Sequence, residues 1–107
     1  MPEISIEDFA RLDLRVATVL ACEKVPKADK LLQFRLLAGD EERTVLAGIA
    51  AHYRPEDLVG KNVILIANLK PAVIRGIESR GMLLSAVRGE RLELLEVKDM
   101  PAGSKIR

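Results

Sequence analysis

Along most of the chain apolar and polar residues alternate with a period of two, the pattern of strands with one buried face, and the exceptions fall at the start and in the middle. At the start, Ser5 is placed to cap a short helix, Asp8 at the third helical position can reach back to the cap, and Ile4 can staple onto Phe9. Alternation then begins. Leu12, Leu14, Val16, Thr18, Leu20 and Cys22 are expected on one face of a strand, with Asp13, Arg15, Ala17 and Glu23 on the other. The length of that strand, with small residues at Ala17 and Ala21, predicts strong curvature. Pro26 ends it, because proline has no N–H to give to a ladder. Residues 31–38 predict a second strand with Leu32, Phe34 and Leu36 inward, 39–42 a hairpin turn, and 43–47 a third strand. The period of two fails over 48–53, which predicts a helical connection. Pro55 followed by Glu56 and Asp57 suits the first turn of a helix that Gly60 stops. Residues 63–67 and 82–87 predict the fourth and fifth strands, and Leu92, Leu94 and Val97 a further short one after a turn at Gly89 and Glu90.

Five curved strands with a short helix between the third and fourth predict an all-β protein, a five-stranded OB-fold barrel with short helices and a C-terminal extension. With 107 residues and no repeat, linker or low-complexity stretch, one domain over 1–107 is expected. The segments before Leu12 and after Val87 exceed a minimal barrel, and their apolar residues suggest that they cover something, a dimer seam being one candidate. The longest apolar run, 63–67, is far short of the ~20 residues that cross a bilayer. No basic stretch followed by an apolar one opens the chain, so secretion is not expected. The lone Cys22 lies in an apolar strand pattern and reads as a buried structural thiol. These features fit the cytoplasm.

Net charge is only +1, which excludes a globally basic nucleic-acid protein and makes local asymmetry the relevant quantity. Lys24, Lys27 and Lys30 face only Asp29 on the connection between the first two strands, the loop that frames the oligonucleotide face of OB-folds. A solvated loop explains them equally well. A second cluster lies after the fourth strand, where Lys70, Arg75 and Arg80 stand against the single acid Glu78. Here Asn68 is either a turn-former or a contact to base or ribose. Ser79 supplies a small donor and acceptor, and Gly76 and Gly81 permit close backbone approach. Met82 reads first as core and second as an adaptable apolar contact at a strand mouth. Catalysis finds no support: His52 is the only histidine, no metal-ligand spacing occurs, and no nucleophile elbow or phosphate loop is present. No cofactor or metal is expected. Only Phe9, Phe34 and Tyr53 are aromatic, too few for a platform that stacks successive bases of a single strand. Structured RNA held by shape and backbone charge fits better.

Four segments resemble the methionyl-tRNA synthetase-type tRNA-binding domain: 8–16 (Asp-Phe-Ala-Arg-Leu-Asp-Leu-Arg-Val), 25–32, Gly48-Ile49-Ala50 with 55–61, and 67–71 (Ala-Asn-Leu-Lys-Pro) with 79–84. With Gly103, Ser104 and Lys105 they cover essentially the whole chain. The resemblance implies an OB-fold whose C-terminal extension helps to build a symmetric dimer. It also implies binding to the outer corner of tRNA by shape, in the service of a synthetase. By motif position it puts the tRNA contacts on Lys30, Asn68, Ser79 and Met82, with support from Lys27, Lys70, Arg75 and Arg80. On that basis Lys30→Ala and Ser79→Ala are expected to weaken tRNA binding with the fold intact. Where the family often has a basic residue after the proline of its Asn-Leu-Lys-Pro motif, this chain has Ala72, and Arg75 is the candidate substitute. The expected partners are tRNA, a second copy of the chain and the catalytic part of methionyl-tRNA synthetase, with no membrane. A relative of the family is described as an export-related chaperone, so a protein-interaction module is the alternative. Starting at Met1, the chain is expected to be a free protein or a subunit rather than an excised domain.

Overall fold

The computed structural model describes residues 1–107. Its organising element is β1 (Leu14–Val25), long enough to pair with different neighbours at its two ends. The first half runs antiparallel to β4 (Asn62–Ile66), from Leu14 opposite Ile66 to Thr18 opposite Asn62. The second half runs antiparallel to β2 (Ala28–Ala38), which in turn pairs with β3 (Glu41–Ala47). The pairing register of β1 shifts between Val19 and Ala21 and leaves Leu20 as the extra residue of a bulge. Bulging corrects the face assignment made from the sequence. Ala17 and Val19 point into the core ahead of it, Cys22 packs against that core beyond it, and Leu20 is exposed. Leu14 and Val16 are buried instead on the opposite face. There the C-terminal extension covers them: β10 (Lys105–Ile106) pairs with Leu14 and Arg15, and Val16 exchanges backbone hydrogen bonds with Gly103 and Ser104.

Leu32, Phe34 and Leu36 of β2 are fully buried, as their alternation predicts, and pack with Val45, Leu58, Val63 and Leu65. β7 (Met82–Leu83) completes the sheet order β3-β2-β1-β4-β7. The two edges meet without a continuous ladder: Arg80 N–H donates to Thr44 O at 2.9 Å. This is the partly open barrel of an OB-fold. Gly81 makes the approach of β7 to β4 possible. Its φ is 134°, and a Cβ there would lie 2.6 Å from Leu65 Cδ1 and 2.9 Å from Ile66 O.

Further expectations change. The connection expected to be helical over 48–53 is not, because Ala50 N–H is drawn to Lys30 O and Tyr53 is anchored by Leu94 N–H donating to its hydroxyl, and the helix expected from Pro55 is a single 3-10 turn, Pro55–Asp57. The predicted fifth strand is cut short: Leu84 N–H still donates to Ile64 O in the register of β7 on β4, and beyond it Leu84 O takes up Leu95 N–H instead. The chain then leaves the sheet, and β8 (Ser85–Arg88) forms a hairpin with β9 (Arg91–Leu94). The loop expected after β4 is also a hairpin, β5 (Ala72–Ile74) with β6 (Ile77–Ser79). The N-terminal helix α1 (Ile6–Ala10) forms as predicted, with Asp8 N–H donating to Ser5 Oγ at 3.0 Å and Ser5 N–H to Asp8 Oδ2 at 3.4 Å. None of its residues is buried, and Ile4, Ile6, Phe9 and Leu12 are left exposed. No helix is long and apolar enough to cross a membrane.

Candidate nucleic-acid interface

Two loops far apart in sequence converge here, and a small second core explains how. The β1–β2 turn has Pro26 at its first central position and Lys27 at its second with φ 63°, the pattern of a type II turn. The β5–β6 turn is Arg75-Gly76 with φ of 53° and 79°, both positive as a two-residue type I′ hairpin requires. Ile77, next after that turn, packs on the buried cluster of Val25, Ala28 and Leu46. The hairpin is thereby docked against the β1–β2 turn. Lys27, Lys30 and Arg75 come to line one open depression of about 390 Å³, with Asp29 beside them.

All three cations are exposed, and none forms an ion pair; the same holds for Lys24 and Lys70. Lys70 stands just before β5 and is not part of the depression. Arg80 is partly committed, since its Nη1 lies 3.8 Å from Glu41 Oε1. Glu41 is shared with Arg43, whose Nε donates to it at 2.8 Å. Arg43 escaped the sequence reading, where it looked like one polar position on a strand. Its guanidinium is largely covered, and its Nη1 donates to Ala67 O and to Arg80 O, so that it ties together the two stems of the β5–β6 hairpin.

Two residues expected to touch RNA face inward or are engaged. Ser79 is the single buried polar residue, 5% exposed, and its Oγ accepts the N–H of Leu46 at 2.9 Å. Asn68 is exposed as a residue, yet its amide donates to Arg11 O at 2.7 Å and its carbonyl accepts from Asp13 N–H at 2.8 Å. That bridge fixes the segment leading into β1. Met82 goes the other way: it is 52% exposed, on the lip of an apolar groove, and not core. The Cys22 thiol is pushed up to about 11, first by burial and then by Glu23 and Glu56, and stays protonated and unreactive at neutral pH.

An OB-fold with uncommitted cations on two neighbouring hairpins, and no carboxylate pairing them, has the build of a polyanion-binding module. The comparisons give the family. The model described as "Putative tRNA binding domain" matches residues 14–105, and the chain belongs to that family. It is 56% identical over 106 residues to the methionine–tRNA ligase of Deinococcus radiodurans, covering 97% of this chain and 16% of the relative's length. Among solved structures it is similar to a MetRS-related protein from Pyrococcus horikoshii, with TM-score 0.95, 34% identity and 99% of both chains covered. It is also similar to the chaperone CsaA of Bacillus anthracis, with TM-score 0.90, 29% identity, and coverage of 99% of this chain and 100% of the other.

Proposed function

We propose that this chain is a non-enzymatic module that binds tRNA by shape and backbone charge and so assists an aminoacyl-tRNA synthetase, methionyl by its relationships. The observation that carries the reading is the convergence of Lys27, Lys30 and Arg75, all unpaired, on one depression. Lysines make point-charge contacts to phosphate, and the arginine fork can take two oxygens of one phosphate; such contacts position RNA without reading its bases. Lys70 and Arg80 extend the cationic surface, and Met82 adds an apolar contact. In this proposal Ser79 and Asn68 serve by holding the loops. Of the aromatics, Phe34 is fully buried and the Tyr53 hydroxyl is bonded to Leu94 N–H, which argues against a stacking platform and for folded RNA. The methionyl assignment is supported by the similarity to methionine–tRNA ligases, of whose length the chain spans 16%. Such a module acts by raising the effective concentration of tRNA near a catalytic partner. The exposed apolar face of Ile4, Ile6, Phe9 and Leu12 supports a homodimer, because a capped helix with nothing buried beneath it needs a cover.

The test is binding of unfractionated folded tRNA against length-matched unstructured RNA. Three phosphate contacts predict an affinity loss of about 20- to 40-fold between 50 and 200 mM salt. A salt-sensitive preference for folded tRNA supports the reading; equal binding of both RNAs, or none at low salt, overturns it. A chaperone-like reading is favoured by the similarity to CsaA and by the apolar groove at Met82. It predicts capture of unfolded polypeptide that persists as salt rises.

A further inference from the structure

Beside the cationic depression lies a groove of about 350 Å³, lined by Leu46, Ile49, Met82, Leu83, Val87 and Leu92. It contains no charged residue, and Ser85 contributes its one side-chain hydroxyl. The groove and the depression adjoin. Leu46 forms a wall of the groove and also belongs to the small core under the depression. Lys30 O accepts from Ala50 N–H and lies 3.9 Å from where a Cβ on Gly48 would be, so Lys30 stands on the backbone strip between the two.

We propose that this groove seats one unstacked nucleobase of the bound tRNA, with the adjoining phosphate held at Lys30; the inference rests on the tRNA-binding reading. A nucleotide is an uncharged planar group joined to an anion, and the surface offers an uncharged slot joined to a cation. An apolar peptide would match the slot and leave the cation unused. The volume is near the lower end of the ~300–1,000 Å³ of small-ligand pockets, which suits one base rather than an extended chain. Its walls are aliphatic, and the flexible, polarisable thioether of Met82 at the lip supplies the contact with the ring that an aromatic would otherwise make. The Ser85 hydroxyl can hydrogen-bond a base edge. Loops and corners of folded RNA are where bases can be splayed out in this way. The groove would add a modest base requirement to recognition that is otherwise electrostatic.

The double variant Met82→Gln/Val87→Asn tests this without changing charge. The two side chains are 52% and 65% exposed, so thermal melting is expected to stay near that of the parent, and it is measured alongside. Affinity for a defined tRNA transcript should fall about tenfold or more, the effect of losing one stacked base, with the slope of log K against log salt unchanged. Dimethyl sulfate probing of the tRNA should show a base protected by the parent protein and released by the variant. A folded variant that binds tRNA within twofold of the parent overturns the proposal and leaves the tRNA reading standing. So does a variant that loses an apolar peptide but not tRNA, which makes the groove a peptide site, or one that changes only the oligomeric state, which makes it a subunit seam. If the parent protein binds no tRNA, the functional reading falls, and this inference falls with it.

Discussion

Ser79→Ala removes a hydroxyl whose hydrogen-bond partner is the N–H of Leu46, at 2.9 Å. Both residues are nearly inaccessible, 5% and 7% exposed, so the freed N–H cannot turn to solvent without opening the contact between β3 and β6. A buried donor left without an acceptor costs about 1–3 kcal/mol. For a domain of this size that corresponds to a drop in Tm of roughly 4–24 °C, and to a lower midpoint in urea with an unchanged m-value. RNA binding should respond differently. Well below the melting range the folded fraction remains near one, and the hydroxyl does not face the depression, so tRNA affinity at 25 °C should stay within about threefold and its salt slope should be the same. Thermal melting and filter binding on the same preparation decide the matter. A Ser79→Ala protein of parental stability whose tRNA affinity falls tenfold would refute the reasoning, because it would mean that the hydroxyl turns outward to RNA.

Lys30→Ala should do the converse: melting changes by less than about 0.5 kcal/mol because the side chain is exposed and unpaired, and the salt slope for tRNA falls by about one. An unchanged slope would remove Lys30 from the interface. Arg43→Met deprives Ala67 O and Arg80 O of a shared donor and should destabilise by about 1–3 kcal/mol. It should also weaken tRNA binding at constant slope, since it loosens the hairpin without deleting a phosphate contact; a slope lower by one would make Arg43 a direct contact. The raised pKa of Cys22 means that the fold favours the neutral thiol. Its stabilising effect is complete below the ordinary thiol value of 9.0 and is lost as pH rises through about 11. Iodoacetamide should therefore modify the native protein slowly at pH 8, faster toward pH 11, and rapidly at pH 8 in urea; a native rate at pH 8 equal to that of free cysteine would contradict this.

The strands legible in the sequence were those whose alternation is uninterrupted. Leu32, Phe34 and Leu36 on β2 gave both the strand and its inward face, and the Ser5–Asp8 capping box gave the helix start. Alternation misled on β1 because one bulged residue, Leu20, reverses the parity of every position after it, and nothing local marks Leu20 as extra. The β5–β6 hairpin was hidden by its turn residues. Arg75-Gly76 lacks the Asn-Gly or Asp-Gly that usually announces a type I′ turn, so Val73, Ile74 and Ile77 read as loop. The cations of the site were visible as residue types. Their convergence was not, since it depends on Ile77 packing against Val25 and Ala28, some fifty positions away in sequence, and against Leu46. Ser79 and Asn68 were legible as polar groups near a loop, but only the folded chain reveals that their hydrogen bonds are internal.

With 17 basic and 16 acidic side chains, the molecule as a whole exerts little pull on a polyanion, so its charge must act locally. Part of the framework pairs its charges. Arg15 meets Asp13 at 2.9 Å, Arg43 meets Glu41 at 2.8 Å, Arg54 meets Asp57 at 3.1 Å, Lys61 meets Glu96 at 3.1 Å, and Arg35 meets Glu42. Exposed pairs of this kind add only about 0–1 kcal/mol each to stability. Their larger effect is on the field. Beyond the ~8 Å over which salt screens at physiological strength, a close pair is nearly silent, whereas an unpaired cation still attracts within that range. Glu41 and Glu42 at the start of β3 are thus partly quenched by Arg43 and Arg35, while Lys27, Lys30 and Arg75 carry no partner around the depression. Folding rather than composition sorts the charge, because only the folded chain brings residue 75 beside residues 27 and 30.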